Sequence, residues 1–354
     1  MSHPEPTRFE DALTGAVLGL ALGDALGFVV EAAPSEVAGE YARDVLRAGR
    51  AGARHHPHFP FGQYSDDTQL ARELLASIVD AGGWSPGRFG ARLAALVLAG
   101  ADVGAGPGTR GAANRLLLGA PWTHAATPAP YAGNGSAMRV APIGVLYDGQ
   151  ESRWRECALE QSRVTHGDPR CAAAAVVVAG AARLAGRPGR LEPGAFLDQL
   201  AGWAEAEDAG MARAVCGLGA WQALSPAAAA ARLHASGLCA APTGAWRGVS
   251  PYVVPSVLWS LYAFLRSPDD WWEAVCTAVE IGGDTDTMAA MTGAIAGARN
   301  GPSALPGALL AALTDRGRWG AEALARLALR CAAVARRPLD TVEPGVIVAE
   351  STRS

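Results

Sequence analysis

Glycines recur at a spacing of four in "EDALTGAVLGLALGDALG", residues 10–27, at Gly15, Gly19, Gly23 and Gly27. The apolar residues of the same stretch, Leu13, Val17, Leu20 and Ala21, fall at helical spacing. A glycine inside a helix costs roughly 1 kcal/mol against alanine, so a whole row of them implies a compensating close approach by another helix backbone. A partner of matching texture lies far downstream in "EIGGDTDTMAAMTGAIAGARNG", residues 280–301. There Ala289, Ala290, Gly293, Ala294 and Gly297 are equally small, with Met288, Met291 and Ile295 as the larger packing residues. The two segments are expected to pack together as helices.

Helical spacing and Ala/Leu content continue along the chain, at 68–81, 87–99, 110–118, 137–147, 152–163, 171–185, 194–206, 211–223, 226–235, 253–265, 270–280 and 319–335. Alternating β-branched runs are almost absent, and "GVIVAE" at 345–350 is the one candidate strand. The expected fold class is therefore all-α. With 50% hydrophobic and 18% charged residues there is ample material for a deep core. No stretch has the composition of a linker, so residues 1–354 are read as a single domain. Long Gly/Pro-rich connections at 54–63, 104–108, 120–135 and 236–251 are the expected carriers of function.

The net charge of −4 argues against general binding to nucleic-acid backbones. All 30 cationic side chains are arginine, which excludes a Walker-type phosphate lysine, a Schiff-base lysine and a pyridoxal anchor. Six cysteines are scattered without C-x-x-C pairs, as reduced, mostly buried thiols would be. The first residues lack a positive n-region, and Asp24 interrupts the first apolar run. A soluble, cytoplasmic, monomeric protein without a membrane partner is expected.

Two helix starts carry more oxygen than capping requires. "SDDT" at 65–68 and "DTDT" at 284–287 each offer two carboxylates and two hydroxyls, whereas one capping side chain suffices. Either both are decorated N-caps that never meet, or they converge. Convergence would bring Asp66, Asp67, Asp284 and Asp286 into mutual repulsion unless cations neutralised them, and the all-oxygen set suits Mg²⁺, Mn²⁺ or Ca²⁺. The matched small-residue helices favour convergence on a two-metal centre.

The motifs "GAVLGLALGDALG" with Glu31 following, "SDDTQLA", "GNGSAMRVAPIG", "THGDP" and "GGDTDTMAAMTGAIAGARNG" occur in an order that resembles the ADP-ribosylhydrolases similar to dinitrogenase reductase-activating glycohydrolase. The resemblance is strongest over residues 10–301. It implies an all-α fold with two Mg²⁺ or Mn²⁺ ions in a central cleft, and removal of ADP-ribose from a modified protein or other conjugate. By the same resemblance the metal ligands are Ser65, Asp66, Asp67, Asp284, Asp286 and Thr287, with Ser65 where threonine is more usual.

The catalytic groups implied are Glu31, close to the scissile bond, and Asp66 or Asp67 as an alternative activator of water. ADP-ribose contacts are implied for His166 and for the loop comprising Tyr131, Gly133, Asn134, Gly135 and Ser136. A helix beginning near Ser136 would offer free N–H groups to an anion. Gly106 and Gly108 in "GAGPGT" resemble a phosphate-contacting loop, with Ala105 where many members carry an aromatic, and Asp102 falls where arginine-directed members have an acid. His55, His56 and His58 read as a solvated turn or flap, and Trp246 and Tyr252 as aromatic residues available for stacking or packing. Two other functions stay open: a non-catalytic ADP-ribose-binding protein, and a Mg²⁺-dependent enzyme acting on another diphosphate, which the low aromatic content disfavours.

Overall fold

The structure is a computed structural model and describes residues 7–236 and 246–336. Its first half contains α1 (Arg8–Gly27), α2 (Ser35–Tyr41), α3 (Asp66–Ala81), α4 (Pro86–Leu98), α5 (Pro107–Leu117), α6 (Ala141–Leu146), α7 (Glu151–Thr165) and α8 (Pro169–Ala185). The second half contains α9 (Pro193–Ala204), α10 (Ala209–Gly217), α11 (Pro226–Ala235), α12 (Val253–Arg266), α13 (Trp271–Val279), α14 (Thr285–Asn300), α15 (Gly307–Leu310) and α16 (Ala321–Ala335). Among the described residues β pairing is limited to isolated bridges. The fold is all-α; the candidate strand at 345–350 lies outside the described residues.

The helix starts obey capping chemistry. Thr7 forms a reciprocal capping box with Glu10, and Ser85, Asp168 and Ser225 each accept from a backbone N–H in the first turn, with proline in the first helical position. Two expectations need correction. The helix expected at 137–147 begins only at Ala141, because Ala137 and Met138 both donate to the Asn134 carbonyl and hold residues 135–140 in turns. The helix expected at 211–223 changes to a 3₁₀ turn at Leu218–Trp221. The short α2 has no counterpart in the periodicity reading.

The core is organised around α1 and α14. A Cβ added to Gly19 would lie 2.2 Å from the Gly293 carbonyl oxygen, and one added to Gly23 would lie 2.1 Å from that of Ala289. The backbones touch, as the glycine row predicts. Helices α8, α12 and α13 pack on α14, while α3, α6 and α16 pack on α1. Leu13, Leu20 and Leu26 are fully enclosed, each worth roughly 1.5–3 kcal/mol of burial. The segment Arg8–Val30 is long and apolar enough to cross a membrane despite Asp24, yet 94% of its apolar window is buried inside the fold.

Candidate active site

The α1–α14 contact sets the site's geometry. At its end a Cβ on Gly27 would lie 2.3 Å from the Thr285 carbonyl oxygen, and the Thr285 hydroxyl donates to the Gly27 carbonyl at 2.8 Å. The start of α14 is thereby fixed beside the last turn of α1. From that same turn Asp24 reaches α3: its Oδ1 accepts from the Ser65 N–H at 2.8 Å, and its Oδ2 accepts from the Thr68 N–H at 3.0 Å and the Thr68 hydroxyl at 2.5 Å. One helix therefore holds both acidic segments in place. Sequence reasoning treated Asp24 only as a break in an apolar run. A lone carboxylate on a helix otherwise made of Gly, Ala, Leu and Val was the available signal, since a buried charge requires partners.

The two acidic segments meet. Thr287 Oγ1 donates to Asp67 Oδ2 at 3.3 Å, and Ser65 Oγ donates to the same oxygen at 3.0 Å. Capping of α3 falls to Ser65, which accepts from the Asp67 N–H, and Asp284 stands at the N-cap of α14 without making a capping bond. The decorated-cap reading thus accounts for one of the eight oxygen-bearing side chains. Glu31 arrives on a loop pinned by Ala32 N–H to the Gly283 carbonyl and Gly283 N–H to the Ala33 carbonyl, both 2.8 Å. One oxygen from each of Glu31, Asp284 and Asp286 lies within 4.8 Å of the others.

Burial pushes the carboxyls of Asp66, Asp67 and Asp286 well above the usual range, and each is raised further by neighbouring acids. Asp24 is pushed up to about 6 by burial, and Glu31 to about 7 by burial and then by Asp284 and Asp24. Asp67 Oδ1 and Asp286 Oδ1 are buried without a hydrogen-bond partner. Orphaned carboxylate oxygens, crowded acids and hydroxyls form a hard, all-oxygen donor set, so the residues present fit divalent cations such as Mg²⁺ or Mn²⁺.

These acids form one end of a cavity of about 800 Å³. The loops at 131–135 and 249–253 form another wall, joined where Asn134 N–H donates to the Pro251 carbonyl and Val253 N–H to the Ala132 carbonyl, each 3.0 Å. Asn134 extends its amide nitrogen to Asp284 Oδ2 and to Ser256 Oγ. Gly106 caps the start of α5 on the cavity wall, and Tyr131, Gly133, Gly135 and His166 line the same space. Gly108 sits behind it, where a Cβ would meet Tyr131 Cε1 at 2.4 Å and His166 Nε2 at 3.0 Å. The glycine keeps both rings in place.

Some expected residues lie elsewhere. Ser136 points away from the cavity, accepting from Ser162 Oγ at 3.0 Å, and the helix that was to begin there starts at Ala141, so it offers no N-terminus to an anion. Ser65 is also behind the wall. Asp102 accepts from Arg110 at 2.7 Å. His56 stacks on Phe28, with centroids 4.3 Å apart, just before Glu31. Trp246 and Tyr252 line the cavity; Arg170 lies over the Tyr252 ring and donates to its hydroxyl.

The pattern of the family described as ADP-ribosylglycohydrolase matches residues 5–339. An uncharacterized protein of Archaeoglobus fulgidus is 30% identical over 87% of this chain and 93% of its own length. An ADP-ribosyl-[dinitrogen reductase] glycohydrolase of Rhodospirillum rubrum is 33% identical over 45% of this chain and 52% of its own. An ADP-ribosylarginine hydrolase of Pseudomonas putida is 26% identical over 85% of this chain and 74% of its own. A solved structure of an ADP-ribosylglycohydrolase-related protein complex superposes with a TM-score of 0.67 at 29% identity, over 93% of this chain and 99% of that one.

Proposed function

The chain belongs to the ADP-ribosylglycohydrolase family, and from that premise we propose that it hydrolyses the bond joining C1″ of ADP-ribose to an acceptor. The observation that carries this reading is a cavity lined by Glu31, Asp66, Asp67, Asp284 and Asp286 together with the glycine loops and His166. Its volume lies in the range of small-molecule sites. Arginine is the first acceptor to test, because the Pseudomonas putida relative spanning most of the chain is named for it.

Two divalent cations are proposed, held by Asp66, Asp67, Asp284, Asp286 and Thr287, with Ser65 Oγ oriented by its bonds to Asp67. When bound, they supply Lewis acidity that orients the ribose hydroxyls and lowers the pKa of water. The remaining chemistry belongs to the chain. Water forms the new bond to C1″ as the bond to the acceptor breaks, through an oxocarbenium-like transition state. One proton leaves the water and one is gained by the departing acceptor. Glu31, with a carboxylate oxygen within 4.8 Å of oxygens of Asp284 and Asp286, is the group assigned to carry a proton between the water and the acceptor. The buried carboxylates around it favour positive charge at the sugar ring.

The test is release of free ADP-ribose from arginine-, serine- and DNA-linked conjugates, with and without Mg²⁺ or Mn²⁺. Metal-dependent release that an Asp284→Ala/Asp286→Ala variant abolishes is the expected result; binding of ADP-ribose without release from any conjugate would replace the hydrolase reading with a binding one. In Glu31→Gln, turnover is expected to fall with ADP-ribose binding retained. Full activity there would remove Glu31 from the chemistry.

A further inference from the structure

Beneath the cavity lies a buried arginine that the reaction scheme does not use. The Arg139 side chain is fully enclosed, with its guanidinium 5.0 Å from the Phe89 ring centroid and no carboxylate among the described residues hydrogen-bonded to it. Its Nε donates to Gln161 Oε1 at 2.8 Å, and its Nη2 donates to the Gln161 carbonyl at 2.9 Å and to Thr165 Oγ1 at 2.8 Å. Nη1 has no partner among the described residues. Burying an unpaired guanidinium is costly, and its pKa is drawn down to about 9 by that burial.

The consequence runs through Thr165. Its hydroxyl oxygen already accepts from Arg139, a group with only protons to give. Its own proton needs an acceptor, and among the described residues the other partner within hydrogen-bond distance is His166 Nδ1, at 2.7 Å. Donation to Nδ1 leaves the ring proton of a neutral imidazole on Nε2. That nitrogen lies 3.4 Å from where a Cβ on the cavity-lining Gly135 would stand, and the ring lines the cavity.

We propose that Arg139 and Thr165 are positioning residues that lock His166 in its Nε2–H tautomer, giving the cavity a neutral hydrogen-bond donor suited to an anionic group of the ligand. The arginine thus acts on the site through a hydroxyl and an imidazole. Burial and Arg139 hold the imidazole pKa down to about 3, so the donor persists uncharged across the physiological range. A charged histidine there would be drawn to the acidic end of the cavity, whereas a neutral donor serves the ligand without competing for the carboxylates.

The inference deepens the ADP-ribose reading, but its test reads the free protein. Full-length protein labelled with ¹⁵N-histidine is examined by long-range ¹H–¹⁵N correlation, with His166 assigned by its disappearance in His166→Gln. An unprotonated Nδ1 and a protonated Nε2, unchanged from pH 5 to 8, are expected. An Nδ1–H tautomer or an imidazolium at pH 7 would overturn the proposal. Arg139→Met frees the Thr165 oxygen to accept from Nδ1–H, so the Nε2–H signature is expected to give way and the Kd for ADP-ribose to rise roughly tenfold. Thr165→Ser keeps both the signature and the affinity. An Nε2–H signature that survives in folded Arg139→Met would remove arginine from the relay. Should the wild type show the Nε2–H form yet fail to bind ADP-ribose, the ligand assignment falls while the tautomer lock stands.

Discussion

The two acidic helix starts carry similar residue types and each anchors a main-chain N–H on a neighbouring loop, Asp66 on the Val103 carbonyl at 2.7 Å and Asp284 on that of Val249, but they differ in how the helix end is capped. At α3 the side chains do the holding: Ser65 caps the helix, and Asp24 clamps Ser65 and Thr68 from α1. At α14 no side chain caps the helix: Asp284 makes no capping bond, its N–H donates to the Val249 carbonyl at 2.8 Å, and the Thr285 hydroxyl ties the helix to the Gly27 carbonyl. Gly282 and Gly283, at φ 77° and 87°, allow that approach; a Cβ on Gly283 would lie 2.1 Å from the Val249 carbonyl oxygen. A carboxylate released from capping needs its main chain fixed by something else. The glycine pair frees Asp284 for other work, while Asp24 frees Asp66 and Asp67.

The strongest way to break this arrangement is at the contact both halves depend on. Gly23→Leu drives a branched side chain into the Ala289 carbonyl, and loss of cooperative folding is expected, a cost of more than about 3 kcal/mol; circular dichroism during thermal melting checks it. Next comes Asp284→Ala/Asp286→Ala, where the expected loss of turnover is on the order of a thousandfold. The same variant in EDTA should melt above the wild type, since two crowded, buried carboxylates are gone. A lower melting temperature would mean that the acids help to hold the fold.

In the metal-free wild type, pH probes the acids directly. Asp24 and Glu31 are raised on folding to about 6 and about 7, from ordinary values near 3.8 and 4.5. A carboxyl raised on folding binds its proton more tightly in the native state. Its contribution to stability is therefore full below pH 4 and lost as pH climbs through 6 and 7. Urea melts at pH 5 and pH 8 with EDTA measure it, and added Mg²⁺ should flatten the difference.

Smaller changes sharpen the contrast between the two starts. Asp24→Asn turns an amide toward donors that need acceptors, costing about 1–3 kcal/mol and weakening metal affinity by roughly 10–100-fold; calorimetric Mn²⁺ titration separates the two. Ser65→Ala removes the cap together with one hydrogen bond to Asp67, at about 1 kcal/mol by thermal melting.

The helical class and the α1–α14 pairing were legible because a glycine row is a backbone signal, written where no side chain intervenes. The acidic motifs were legible as an excess over what capping needs. Asp24 was not, since one aspartate in an apolar helix looks the same whether it faces water or clamps another helix. The start of α6 was misread because Asn134 diverts the following N–H groups into turns, a choice that "NGS" alone does not dictate. Arg139 also escaped notice: a guanidinium within "SAMRVAP" carries no mark of burial until Gln161 and Thr165, on α7, close around it.

The Thr285 hydroxyl and the Gly27 carbonyl that accepts its hydrogen bond are separated by 258 positions in the chain. Contacts of such separation make a topology slow to find. On the ribosome, α1 must wait through the synthesis of nearly everything between it and α14, its glycine face uncovered. The acids of α3 emerge early, and their partners on α14 emerge late. The complete acidic cluster is then among the last features this polypeptide acquires during synthesis, and nascent chains stopped short of residue 284 should hold half a set of acids.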